Sequence, residues 1–335
     1  MKSLLERILP PTIKQMLVDI LSLIKTPFYY WKDGWWYVKH SGMLRHNNSQ
    51  MKMIARITMA YHGIEKGLTM PEMRSGFGAE AMATLTTLCD EYLRRRYDTT
   101  HCQFLHALGV IKEYKKTHDE KGFQIDVRLS ERIDNLLRKI NRIPEVRQTE
   151  IGAEEYFRYA DASFDKFSPS RRSVRYFSEK EVEIDIIQKA VSIAQNAPSS
   201  CNRQSPRVYV IQHKDTIKKV LTLQQGNRGF GHLANKLLIV TAELGVYNSI
   251  KERHSAWVDG GMFAMNLLHA LHFYRIGSCT LNCYFSPREE ALVRDICDIP
   301  QSEILVVIIA VGTVPQHFRV ACSKRMDIDD ILRIR

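Results

Sequence analysis

The chain has 335 residues, 44% of them hydrophobic and 25% charged, with a formal net charge of +11. That balance excludes a disordered or fibrous chain and leaves room for two folded domains. The basic excess is interleaved with acids and accompanies no nucleic-acid-binding motif, so it points to small anions or anionic surfaces and away from DNA or RNA.

Dense runs such as Arg94-Arg95-Arg96 and Lys115-Lys116 read first as solvated helix faces. The 7 cysteines are odd in number and irregular in spacing, which argues against a disulfide framework and for reduced thiols in a cytoplasm. Glu6, Arg7 and Pro10 interrupt the start, so no signal-peptide core is expected, and no stretch reaches the roughly 18 apolar residues of a spanning helix.

In chain order, Ile13, Met16, Leu17, Ile20, Leu21 and Ile24 recur at helical spacing and predict a helix over 12–31. An aromatic stretch from Tyr29 to Tyr37 follows, with Trp31, Trp35 and Trp36. The preferred reading is an amphipathic helix and turn packed on the protein's own core. The alternative is a membrane-surface or partner-binding element. Further helices are predicted over 49–66, 79–97, 101–117 and 128–142. Between the first two lies His62-Gly-Ile-Glu65-Lys66-Gly67, which reads as a helix end with Gly67 as its cap, or else as pocket lining. Residues 1–150 thus form a helical region and 151–170 a linker.

After residue 170 the pattern changes. Helices are predicted over 184–196, 214–223, 256–274 and 286–297, and strands over 207–212, 236–242, 277–282 and 304–311. The mixture gives an α+β class for residues 171–335: a mixed sheet flanked by helices.

Two polar clusters flank the first of these helices. Arg171-Arg172-Ser173-Val174-Arg175 concentrates guanidinium groups and a hydroxyl, which suits a phosphate. Ala197-Pro198-Ser199-Ser200-Cys201-Asn202-Arg203-Gln204 offers small hydroxyl and amide groups, which suit a polar heterocycle. Together they point to a cofactor with a phosphate end and a ring end. No triad, carboxylate pair or nucleophile motif is present, so no catalytic residue is assigned. His269, His272, Cys279 and Cys283 superficially suggest zinc ligands. On one straight strand Cys279 and Cys283 would lie about 13 Å apart, too far for one ion, so no metal is expected.

These two clusters, with Val258-Asp259-Gly260-Gly261-Met262-Phe263-Ala264-Met265-Asn266, Arg275-Ile276-Gly277-Ser278-Cys279 and Ala310-Val311-Gly312 in this order, resemble the FMN-dependent nitroreductase family. The resemblance covers about residues 165–335. The His62 to Leu68 stretch is similar to one in longer nitroreductase-like proteins encoded near polysaccharide genes.

The resemblance implies a homodimer with two FMN sites at its interface, reduced by NAD(P)H. It implies that Arg171, Arg172, Ser173 and Arg175 hold the phosphate and ribityl end, with Lys324 or Arg325 closing over it. Pro198, Ser199, Ser200, Asn202 and Gln204 would approach the ring from the partner subunit. Gly277 and Ser278 would meet it through backbone groups, and Asn227 would add a polar contact. Ser205 departs from the family by intervening before Pro206, which alters the loop after Gln204. Residues 243–257 correspond to the cover over the flavin. There Arg253 and His254 read first as surface helix residues, with an anionic substrate as the alternative. The implied activity passes reducing equivalents to a small organic acceptor. The alternative is a specialised or non-catalytic flavin-fold module in a biosynthetic complex.

Overall fold

A computed structural model describes residues 10–41 and 49–335. The expectation placed on Met1 to Glu6 and Arg7 lies outside the described residues. The helices α1 (Pro11–His40), α2 (Gln50–Leu68), α3 (Ala79–Arg94), α4 (Cys102–Glu120) and α5 (Val127–Leu137) come first. The side chains of Ser49 and Asp126 cap the starts of α2 and α5 by accepting from Lys52 N and Leu129 N. Helices α2 to α5 bury their apolar stripes against one another around Met53, Ile57, Met82, Leu85, Tyr92, Phe104, Leu108 and Ile133.

Helix α1 departs from expectation. It runs unbroken through the aromatic stretch to His40, and none of its residues is buried. It does not pack on the protein's own core.

The stretch expected to be a linker holds β1 (Thr149–Gly152), α6 (Ala153–Tyr156) and α7 (Phe164–Ser170). Tyr156, Phe157 and Ala160 enter the second core. There follow α8 (Ile184–Ala194), β2 (Pro206–Ile211), α9 (Lys214–Leu223), β3 (Lys236–Glu243), α10 (Ser255–Phe273), β4 (Gly277–Leu281), α11 (Pro287–Cys297), β5 (Glu303–Gly312), β6 (His317–Val320) and α12 (Ile328–Ile331).

Strands order as β2-β3-β5-β4, and β1 pairs with β6 in a separate ribbon. Every described pairing is antiparallel, where a mixed sheet was expected. The reason is topological. Helix α10 returns the chain so that β3 and β4 run the same way, and β5 then fills the gap between them from the opposite direction.

The sheet is covered on both faces. Leu237, Ile239, Ile308 and Ala310 face one layer with Val220 and Val293, while Leu238, Val240, Ile309 and Val311 face the other with Leu267 and Leu271. This α+β layering fixes β4 as an edge strand beside which the first arginine cluster runs.

Candidate cofactor site

Residues 171–178 lie extended along β4 and the end of β5. Val174 N donates to Ser278 O at 2.9 Å, and Ser178 N to Thr313 O at 2.8 Å. The close approach requires Gly277, where a Cβ would meet Val314 Cγ1 at 2.7 Å and Val174 Cβ at 3.4 Å. Gly277 and Ser278 thus meet the 171–178 segment through their backbone.

This packing gathers cations around Cys279. Arg175 is buried and its Nε has no hydrogen-bond partner. Burial pushes the Cys279 thiol up, while the charges of Arg175, Lys66 and Arg171 oppose that rise. Burial, with the like charge of Arg325 nearby, holds the Arg171 guanidinium below its ordinary range. Burial and the charge of Arg175 hold the Lys66 ammonium down in the same way. Among the described residues, no carboxylate forms an ion pair with any of Lys66, Arg171, Arg175 or Arg325. Unneutralised guanidinium groups, one with a buried vacant donor, fit an oxyanion or the electron-rich edge of a heterocycle.

Lys66 comes from the helical N-terminal region. Gly67 is not a cap: it lies inside α2, which Thr69 ends, and a Cβ there would collide with the Phe77 ring. Lys66 and Gly67 instead line a cavity of about 750 Å³ with Arg74, Tyr176, Arg228 and His232.

A buried network locks the two regions together behind this cavity. The Glu65 Oε1 accepts from His106 Nε2 at 2.8 Å and from Ser323 N at 3.3 Å. His62 Nδ1 lies 3.6 Å from Oε2. Burial raises the Glu65 carboxyl, but the two histidines outweigh it and its pKa falls below the ordinary value. Gln103 Nε2 donates to Lys324 O at 3.0 Å. The segment carrying Lys324 and Arg325 is thereby tied to α2 and α4. The Lys324 ammonium itself turns to Asp327, 3.3 Å away. Arg172 turns outward, with Nη1 3.3 Å from Thr149 Oγ1, while Ser173 stays half-buried in the cluster.

The second cluster lies elsewhere. Pro198, Ser199 and Gln204 line a separate cleft of about 580 Å³ with Asp259 and Phe263, and no residue of 171–175 lines it. Asp259, which the sequence reading left without a role, holds this loop. Its Oδ2 accepts from Ser200 N at 3.0 Å and from Tyr247 OH at 2.7 Å, and its Oδ1 from Ser200 Oγ at 3.0 Å. Cys201, Asn202 and Gln204 all adopt positive φ, and Gln204 N donates to Ser199 Oγ at 3.0 Å. Asn227 points inward, its amide donating to Leu221 O at 2.7 Å, on the rim of a third groove.

One further expectation changes. Arg253 and His254 hold Asp33 of α1. His269 and His272 are neutral neighbours of Arg171: burial first, then that guanidinium, lowers both, His272 to about 4. Among the described residues, the one group of His, Cys and carboxylate ligand atoms within metal-binding reach is Cys102, Asp327 and Asp330, so the paired histidines and cysteines do not converge.

Residues 169–313 match the Nitroreductase family. An Archaeoglobus fulgidus protein provisionally named NADH dehydrogenase/NAD(P)H nitroreductase is 28% identical over 149 residues, 43% of this chain and 80% of its own. A nitroreductase family protein of Streptococcus pneumoniae aligns over 52% of this chain and all (100%) of its own, at 19% identity and a TM-score of 0.46. A Desulfovibrio desulfuricans protein solved with FMN, provisionally named a nitroreductase, aligns over 52% of this chain and 98% of its own, at 18% identity and a TM-score of 0.45. Lys66, Lys324 and Arg325 lie outside the matched segment.

Proposed function

We propose that the protein is an FMN-dependent oxidoreductase that passes reducing equivalents from NAD(P)H to a small organic acceptor. The observation that carries this reading is the set of cations at Lys66, Arg171, Arg175 and Arg325 around β4, with no carboxylate of the described residues to neutralise it. Arg171, Arg175 and Arg325 would hold FMN's anionic groups, helped by Ser173, while the backbone of Gly277 and Ser278 would carry the ring past β4. Bound there, the flavin supplies reversible two-electron chemistry; the chain binds and orients it.

The Pro198–Gln204 loop, rigidly held by Asp259 and remote from the arginines of its own chain, would serve the flavin of a second subunit. The exposed apolar residues Trp257, Met262, Met265 and Phe273 along α10 support such a homodimer. The helical region would wall the site through Lys66 and α2.

Purified protein tests the reading directly. A yellow preparation carrying one FMN per chain and bleached by NADH or NADPH supports it. Colourless protein that does not take up added FMN would sink it.

A further inference from the structure

Helix α1 presents an inverted surface. Its 30 residues span about 45 Å, and none is buried. What attaches it to the body is polar. Arg253 Nη2 donates to Asp33 Oδ1 at 2.7 Å, His254 Nε2 lies 3.1 Å from Asp33 Oδ2, and the Tyr29 ring sits 5.2 Å from the Arg253 guanidinium. Tyr29 and Asp33 are one turn apart and share a face.

The opposite face is apolar. Ile13, Leu17, Ile20, Ile24, Trp31 and Trp35 recur at steps of three, four or seven residues and so share a face, and Trp31 and Trp35 are 64% and 61% exposed. A water-facing helix normally shows the reverse arrangement. Between the two faces runs a row of lysines, Lys14, Lys25, Lys32 and Lys39, spaced by multiples of seven or eleven residues and so aligned along the helix.

We propose that α1 is an interfacial helix that lays its Ile24–Trp31–Trp35 face on an anionic lipid surface. Three observations select this occupant. No helix among the described residues is long and apolar enough to cross a membrane. The lysine row lies at the edge of the apolar stripe, where ammonium groups reach lipid headgroups while their stems stay in the apolar layer. A second copy of the chain would bring another net charge of +11 against that row, whereas anionic headgroups neutralise it.

The full chain contains 4 tryptophans, of which Trp31, Trp35 and Trp36 lie in α1, so intrinsic fluorescence reports on the helix. The test is sedimentation of full-length protein with vesicles of phosphatidylglycerol and phosphatidylcholine, against phosphatidylcholine alone. Binding to the anionic vesicles with a blue-shifted emission is expected, weakened about tenfold or more by Lys25→Glu with Lys32→Glu, or by 0.5 M salt as a probe of screening. Ile24→Asp with Trp31→Asp should abolish binding while leaving the melting temperature unchanged, because neither side chain is buried. Failure of wild type to bind anionic vesicles overturns the proposal. So does equal binding by wild type and the Ile24/Trp31 variant. A dimer that dissociates in the Ile24/Trp31 variant, without vesicle binding by wild type, assigns the face to a second copy instead.

Discussion

Ser323 donates its backbone N–H to the buried carboxylate of Glu65 at 3.3 Å, and so hangs the segment bearing Lys324 and Arg325 on helix α2. The same oxygen takes a 2.8 Å hydrogen bond from His106. Glu65→Ala should cost about 1–3 kcal/mol, the usual penalty for leaving a buried hydrogen-bond donor without its acceptor. Chemical denaturation measures that loss, and hydrogen exchange at Ser323 should accelerate with it. A stability change below about 1 kcal/mol would show that the carboxylate does not tie the regions together.

In the proposed function, Lys66 and Arg171 would approach the same anion from different regions of the chain. Charge-assisted hydrogen bonds contribute roughly 1.5–3 kcal/mol each, so Arg171→Ala should weaken FMN by about one to two powers of ten. Lys66→Ala should weaken it by about tenfold, and Lys66→Arg should restore most of that loss. Quenching of flavin fluorescence during titration of apoprotein reads both. Unchanged affinity in Arg171→Ala removes the cradle; unchanged affinity in Lys66→Ala alone removes only the helical region's share of it.

His272 is buried, and its Nε2 lies 2.8 Å from Ser170 Oγ. Burial, then Arg171 and His269, depress its pKa from 6.5 to about 4. The unfolded chain therefore binds the proton first. Stability contributed by the neutral ring is full above pH 6.5 and declines as the pH falls from 6.5 towards 4, by up to about 3 kcal/mol. His272→Asn should flatten that part of the stability profile. Thermal melts of both proteins across this range check the slope, and parallel profiles would exclude His272 as its source.

Gly67 faces the Phe77 ring with no room for a Cβ. Phe77 itself stacks edge-on against Tyr114 at 5.4 Å and anchors its hydroxyl through Phe77 O at 2.8 Å. Gly67→Ala should therefore destabilise by about 1–3 kcal/mol through overpacking, although alanine normally favours a helix. A melting temperature equal to or above wild type would contradict this.

Much of the architecture was legible because single segments encode it. Helix α9 falls on the expected 214–223, and β3 and β5 fall within a residue or so of theirs, since periodicity and buried apolar runs are local signals. Strand polarity was not legible, because it depends on β5 slotting between β3 and β4. The arginine cluster was visible as composition. Its neutral neighbours His269 and His272 were not, because α10 brings them up from about a hundred residues away. Lys66 was ambiguous for a chemical reason: a lysine in the last turn of a helix serves the helix dipole and an anion pocket with the same charge. The stripe on α1 was also visible in the sequence. Which side faces the body depends on Asp33 meeting Arg253, 220 residues further on, and no local pattern carries that.

The bond between Glu65 and Ser323 spans 258 residues, and chains grow from the amino end. At ribosomal rates of about 5–20 residues per second, roughly 13–50 s separate the synthesis of its two partners. The helical region can collapse around α2 to α5 during that interval, but Glu65 must wait with one of its donors missing. Nascent chains should thus pass through a stage in which the first region is folded and the cation cluster beside β4 still lacks Arg325. On the proposed function, cofactor capture would wait until translation has passed the β6 strand.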